Sequence, residues 1–218
     1  MAKIIRIVIV ILLVAFIGLA GFQWRNYHKK SECRDNALLY FKEKDYEKAI
    51  GYLEKGLKQM SMFGDDMNKD MSCYLAESHY QLGQYEEAAE IYRSLLEDDS
   101  SNETYYLLEA EAYAAMDQTD KAVEIYEKGW DQTGSNVFLS RICDSYLEAG
   151  NYEEALRYAQ MGVEKDEADA AEFLFKEIVI FERSGDYSSA YDAAVEYTTR
   201  YPDDEKGQKE LKFLSTRI

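Results

Sequence analysis

Gly150-Asn151-Tyr152-Glu153-Glu154-Ala155 reads as a tight turn followed at once by the start of a helix, and the same pattern returns four more times along the chain. The other copies are Lys44-Asp45-Tyr46-Glu47-Lys48-Ala49, Gly83-Gln84-Tyr85-Glu86-Glu87-Ala88, Asp117-Gln118-Thr119-Asp120-Lys121-Ala122 and Gly185-Asp186-Tyr187-Ser188-Ser189-Ala190. Their alanines step by 39, 34, 33 and 35 residues, a period that belongs to solenoids of helix-turn-helix units. Each unit ends a first helix at a Gly, Asp or Lys turn and begins a second helix immediately, so the two lie antiparallel. The buried alanine lets the helices approach closely. Tyr40, His79, Tyr113, Tyr146 and Phe181, nine residues before each alanine, are placed to fill the space between them. A unit of this size cannot bury its apolar face alone, so stacked neighbours supply the core.

Composition agrees with an all-α chain. One proline in 218 residues, with 47% hydrophobic and 31% charged residues, leaves no low-complexity or disordered stretch. The segment 203–218 carries Leu211 and Leu214 at helical spacing among lysines and glutamates, the pattern of a capping helix.

Residues 30–202 resemble the tetratricopeptide repeat family. The fourth copy carries the resemblance most fully, with Leu139, Ile142-Cys143, Tyr146, Gly150, Tyr152 and Ala155 at family spacing, and Tyr201-Pro202 supplies the family's repeat-ending proline. The chain departs from the family pattern at Asn36, Glu109 and Glu177, where a leucine is usual, and at Gly56, Gly129 and Gly162, which replace a helix alanine. Less regular packing is expected in repeats 1, 3 and 5. The expected architecture is therefore five repeats (30–202) and a cap (203–218), preceded by an anchor and juxtamembrane segment (1–29).

Ile7 to Phe22 is an uncharged run of apolar residues and glycines, which Ile4 and Ile5 extend past a snorkelling Arg6. Trp24 and Tyr27 suit the interfacial belt of a bilayer. One membrane-spanning helix through residues 4–24 is the expected arrangement. A cleaved secretory signal is the competing reading, since Lys3 and Arg6 give a positive start and Gly18-Leu19-Ala20 a small-x-small site. No Gly or Pro interrupts Gln23 to Glu43, so the apolar helix is expected to run on into the first repeat. Lys3 and Arg6 before the run, against Arg25, Lys29, Lys30 and Arg34 after it, place the repeats inside by the positive-inside rule. A short basic start followed directly by an apolar run is the usual form of an exported anchor. The repeats are taken to be extracytoplasmic on that ground, with three apparently unpaired cysteines counting against it.

All 42 acidic residues and only 20 of the 25 basic ones lie beyond residue 30, leaving that part net −22. Nucleic acid is excluded as a partner by this charge, and basic proteins are favoured. Cys33, Cys73 and Cys143 have neither disulfide-framework nor zinc-site spacing. With only His28 and His79, no phosphate-binding loop and no nucleophile motif, neither catalysis nor a cofactor is expected.

In tetratricopeptide proteins the first helix of each repeat lines a concave groove. The resemblance puts Arg34, Phe41, Glu77, Tyr80 and Leu107 there, followed by Glu111, Asp144, Leu147, Phe175 and Val179. Glu77, Glu111 and Asp144 hold equivalent places and would form an acidic row with apolar flanks, suited to a protein or peptide segment bearing basic and apolar side chains. The lysine and asparagine clamp of the family's chaperone-binding members is not matched, because those places carry residues such as Arg34, Leu38, Cys73 and Glu77. The methionine-rich stretch Met60-Ser61-Met62-Phe63-Gly64-Asp65-Asp66-Met67, where the 39-residue first step adds five residues, is a further candidate contact. Two functions follow as expectations: a membrane-anchored interaction scaffold, or a holdase-like chaperone or translocon accessory.

Overall fold

A computed structural model describes residues 2–61, 64–165 and 170–218; Met62 and Phe63 of the methionine-rich stretch lie outside the described residues. The chain divides into two compact units. The first, Met1–Asp98, holds α1 (Ala2–Lys42), α2 (Tyr46–Leu57), α3 (Asp65–Gln81) and α4 (Tyr85–Asp98). The second, Asp99–Ile218, holds α5 (Glu103–Ala114), α6 (Thr119–Thr133), α7 (Asn136–Glu148), α8 (Tyr152–Lys165), α9 (Ala170–Ser184), α10 (Tyr187–Arg200) and α11 (Glu205–Leu214). Within each unit every helix packs on its sequence neighbour, and α1 also touches α3. No strand occurs among the described residues.

The repeated hexapeptide closes each turn with one hydrogen-bond pattern. Lys44, Gly83, Asp117, Gly150 and Gly185 all adopt positive φ, between 58° and 82°. The next residue's N–H then reaches back to the aromatic-slot carbonyl: Asp45 to Tyr40, Gln84 to His79, Gln118 to Tyr113, Asn151 to Tyr146 and Asp186 to Phe181, at 2.8–3.0 Å. This is the left-handed stop that satisfies a helix's last carbonyls. The same residue caps the following helix, its own carbonyl accepting from the N–H of Ala49, Ala88, Ala122, Ala155 or Ala190. Those five alanines are completely buried. Above them the slot residues pack as their spacing predicts, with Tyr40 stacked on Tyr52 and Tyr146 on Tyr158 at ring separations of 5.4 and 5.8 Å.

The expectation that Gly56, Gly129 and Gly162 loosen their repeats is corrected. Each is a socket for a large side chain of the next helix. A Cβ added at these positions would stand 2.3 Å from Met71 Cε, 2.5 Å from Phe138 Cε1 and 2.4 Å from Phe173 Cδ1 respectively. Met71, Phe138 and Phe173 are at most 1% exposed. The missing methyl group is thus what admits the next repeat.

The C-terminal helix α11 closes the second unit. Asp204 caps it by accepting from the N–H groups of Lys206 and Gly207, and accepts from Tyr197 Oη at 2.7 Å. Leu214 completes a cluster with Leu174, Ile178, Ala190, Ala194 and Tyr197. At the other end, α1 crosses residue 29 without a break, and its apolar residues from Ile4 to Leu19 are 48–68% exposed.

Candidate partner-binding surface

Four of the sequence-predicted surface residues lie in the first unit. Arg34 on α1 is engaged within the protein, its Nε donating to Asp70 Oδ2 of α3 at 2.5 Å. Phe41 is half-buried and meets the edges of Tyr46 and Tyr74 at 5.5 and 5.1 Å. Glu77 accepts from Gln81 Nε2 at 2.7 Å, and Tyr80 packs edge-on against Tyr85. This face therefore presents aromatic edges and one glutamate, with its arginine already paired.

The second unit gathers more. Ala114 of α5, Arg141, Asp144, Ser145, Leu147 and Glu148 of α7, and Val179 and Arg183 of α9 line one cavity with Tyr126. Three predicted residues, Asp144, Leu147 and Val179, meet there. Leu147 is only 8% exposed and forms the floor, while Val179 is half-buried. A volume of about 340 Å³ holds a few side chains, not a whole helix. Leu107 is half-buried on α5 outside this cavity. Phe175 is half-buried outside this cavity and packs edge-on against Tyr197 at 5.5 Å, with the Lys206 ammonium 3.5 Å over its ring.

The acidic row is also corrected in the second unit. Glu111 lies 3.7 Å from Arg141 Nη2, and Asp144 accepts from Lys176 Nζ, which is also 3.8 Å from Glu172. Each acid eleven residues before one repeat's alanine meets a cation fourteen residues before the next alanine. The row is a ladder of ion pairs between first helices. Ser140 adds a 2.5 Å hydrogen bond to Glu172 on the same seam. The predicted residues missed Arg141, Lys176 and Arg183; aligning the five copies column by column would have exposed the first two.

Titration marks a second acidic place near the cap. Burial, and then the neighbouring charge of Glu196, push Glu177 up to about 7. Burial also raises Glu182 to about 7, followed by its hydrogen bond and charge interaction with Glu210. Cys143, expected in the core, is fully buried, and its thiol is pushed up to about 12 by that burial. Cys73 is half-buried.

Antiparallel helix pairs joined by identical turns define a helical-repeat protein, a class that binds through extended concave surfaces. Family models described as tetratricopeptide repeat match residues 40–112 and 79–136, and 142–205, together about three quarters of the sequence. The chain belongs to the tetratricopeptide repeat family, whose members are generally protein-interaction modules and typically not enzymes. A tetratricopeptide repeat protein from Parabacteroides merdae is similar to it, with a TM-score of 0.63 at 17% identity over 86% of this chain and 72% of that one. MamA gives 0.58 at 15% over 81% and 96%. YrrB, described as a tetratricopeptide protein with an unusual peptide-binding site, gives 0.53 at 14% over 83% and 90%. At these identities the likeness shows the fold alone. No curated protein matches the sequence.

Proposed function

We propose that this protein is a membrane-anchored interaction scaffold that holds a peptide segment of a partner protein on the first-helix face of its repeats. The observation that carries the reading is the convergence of Leu147 and Val179 with the charged rim of Arg141, Asp144, Glu148 and Arg183 in one cavity. An apolar floor with both signs of charge at its edge suits an amphipathic segment. The basic character first expected of the partner is moderated by the ion-pair ladder, because Glu111 and Asp144 already face cations. A peptide-binding relative of the same fold, YrrB, supports the general mode.

Anchorage is supported by the bareness of α1. Nineteen residues from Ile4 to Phe22 rise about 28 Å, close to the roughly 30 Å hydrocarbon core. None of the most apolar window is covered by protein. The repeats are assigned to the extracytoplasmic side on the export-like form of the N-terminus. Alkaline carbonate washing should leave the full-length protein with membranes; a mature N-terminus at Gly21 would show a removed signal sequence instead.

The binding face is tested by photo-crosslinking in intact membranes. A crosslinker at Val179 should capture one stoichiometric partner, and one at exposed Gln160 on the outer face of α8 should not. Many unfolded clients at Val179 would favour the holdase function. Equal capture from both positions would remove the cavity from the mechanism.

A further inference from the structure

Three side chains on one face of α1 tie it to the start of α3. Asn26 Nδ2 donates to the Met60 carbonyl at 2.9 Å, Lys30 Nζ to Asn68 Oδ1 at 2.7 Å, and Arg34 Nε to Asp70 Oδ2 at 2.5 Å. Donors four residues apart share a helix face, so Met60 and the first turns of α3 run in register beside α1. The ties are buried at the lower end: Asn26 is 8% exposed and Lys30 only 2%. Burial pushes the Lys30 ammonium below the ordinary lysine value, with Asp65 pulling it partly back. A group held at that cost fixes the height of the start of α3 along α1.

That height is informative. Asn26 lies four residues, about 6 Å, beyond Phe22, where the apolar run ends. The headgroup layers on the two sides of a bilayer add about 10–15 Å to the hydrocarbon core, or about 5–8 Å each. The carbonyl bound by Asn26 therefore falls within such a layer. Met60 is 82% exposed there and Trp24 66%. Beside them Trp24, Tyr27, Gly64, Asp66 and Met67 line an open cavity of about 500 Å³. Exposed Arg25 and Lys29 lie on the same stretch of α1, next to the level of lipid phosphates.

We propose that Met60, just beyond the end of α2, is a second membrane contact: it enters the interfacial layer, and the cavity between Trp24, Tyr27 and Met67 takes phospholipid glycerol and upper acyl chain. The occupant is lipid because the surface is continuous with the apolar face of α1 and is fixed at headgroup depth. Two contacts, one spanning and one lateral, hold the first repeat in a single orientation on the bilayer. The inference rests on the membrane-anchor reading.

The test is depth-dependent quenching in phosphatidylcholine nanodiscs, using the full-length protein with Cys73→Ser and one added cysteine bearing a polarity-sensitive fluorophore. Cys33 and Cys143 are buried, with thiols raised by burial, and stay unlabelled. Three sites are compared: Val14→Cys in the apolar run, Met60→Cys, and Glu86→Cys in the first turn of α4. All three are exposed, so labelling leaves the fold intact. Nitroxide at the acyl-chain centre should quench Val14→Cys most. Headgroup nitroxide should quench Met60→Cys, with a blue shift absent from Glu86→Cys. If Val14→Cys is lipid-quenched but Met60→Cys matches Glu86→Cys, the second contact is wrong and the anchor stands. Unquenched Val14→Cys overturns both. Self-quenching of Met60→Cys that grows with protein per disc, without lipid quenching, would assign this position to a second copy and overturn the proposal.

Discussion

Replacing Gly162 by alanine is expected to destabilise the second unit, although alanine is the better helix former. Gly162 lies in α8, seven residues after Ala155, and a Cβ there would sit 2.4 Å from three ring atoms of Phe173. Ordinary contact begins at 3.4 Å, so about 1 Å of movement is needed, and Phe173 is only 1% exposed. A buried aromatic ring cannot swing aside as a flexible chain end would. Overpacking of this kind costs about 1–3 kcal/mol, and the helix-propensity gain of about 1 kcal/mol offsets part of it. A net loss of up to about 2 kcal/mol follows. Gly51 in α2 is the internal control, with nothing within 4 Å of an added Cβ. Gly51→Ala should gain about 0.5–1 kcal/mol. The assay is urea unfolding of full-length protein in detergent micelles, followed by circular dichroism and read as a midpoint shift. Phe173→Leu should relieve part of the Gly162→Ala cost, so the pair should be non-additive. A midpoint for Gly162→Ala that rises like that of Gly51→Ala, or strict additivity with Phe173→Leu, would refute the socket.

Two of the five left-handed turn residues are not glycine: Lys44 at φ 60° and Asp117 at φ 58°. A non-glycine residue pays about 1–2 kcal/mol there, and glycine's unfolded-state entropy takes part of that back, so Lys44→Gly and Asp117→Gly should each stabilise by up to about 1 kcal/mol in the same urea assay. The raised Glu177 and Glu182 set a pH dependence. Their folded values of about 7 lie above the ordinary 4.5, so the native state holds protons more tightly. Stability from this source is complete below about pH 4.5 and is lost as pH rises through 7. After discounting for the solvent around both side chains, pH 8 should be less favourable than pH 5.5 by about 1 kcal/mol. Thermal melts at the two pH values should show the difference, and Glu182→Gln should reduce it.

The turns were legible in the sequence because one backbone conformation, one carbonyl acceptor and one buried alanine recur together. That coincidence of local constraints fixed five helix pairs and the cap. The socket glycines were visible as residues but misread as defects, since their partners Met71, Phe138 and Phe173 lie on the following helix. A glycine's role depends on what approaches it, which a single repeat does not contain. The candidate surface was half legible. Asp144, Leu147 and Val179 line one cavity, whereas Phe175 packs against Tyr197 outside it. Glu111 and Asp144 were recognised as a row, but their partners Arg141 and Lys176 belong to the next copy.

That ladder changes what should govern affinity in the second unit. A partner cation approaching Asp144 finds Lys176 already bonded to it, with Lys176 also near Glu172. Exchanging one ammonium for another at a partly exposed carboxylate yields little, on the scale of about 0–1 kcal/mol for such pairs. The apolar floor of Ala114, Leu147 and Val179 has no internal substitute, and its burial by a partner side chain should carry more of the affinity. Val179→Ala should therefore weaken binding of the crosslinked partner more than Asp144→Asn does. Raising salt from about 0.01 M to about 1 M shortens the screening length from about 30 Å to about 3 Å, and binding should change only modestly across that range. A steep loss of affinity with salt, abolished by Asp144→Asn while Val179→Ala binds normally, would restore the acidic row as the recognition element and remove the apolar floor from that role.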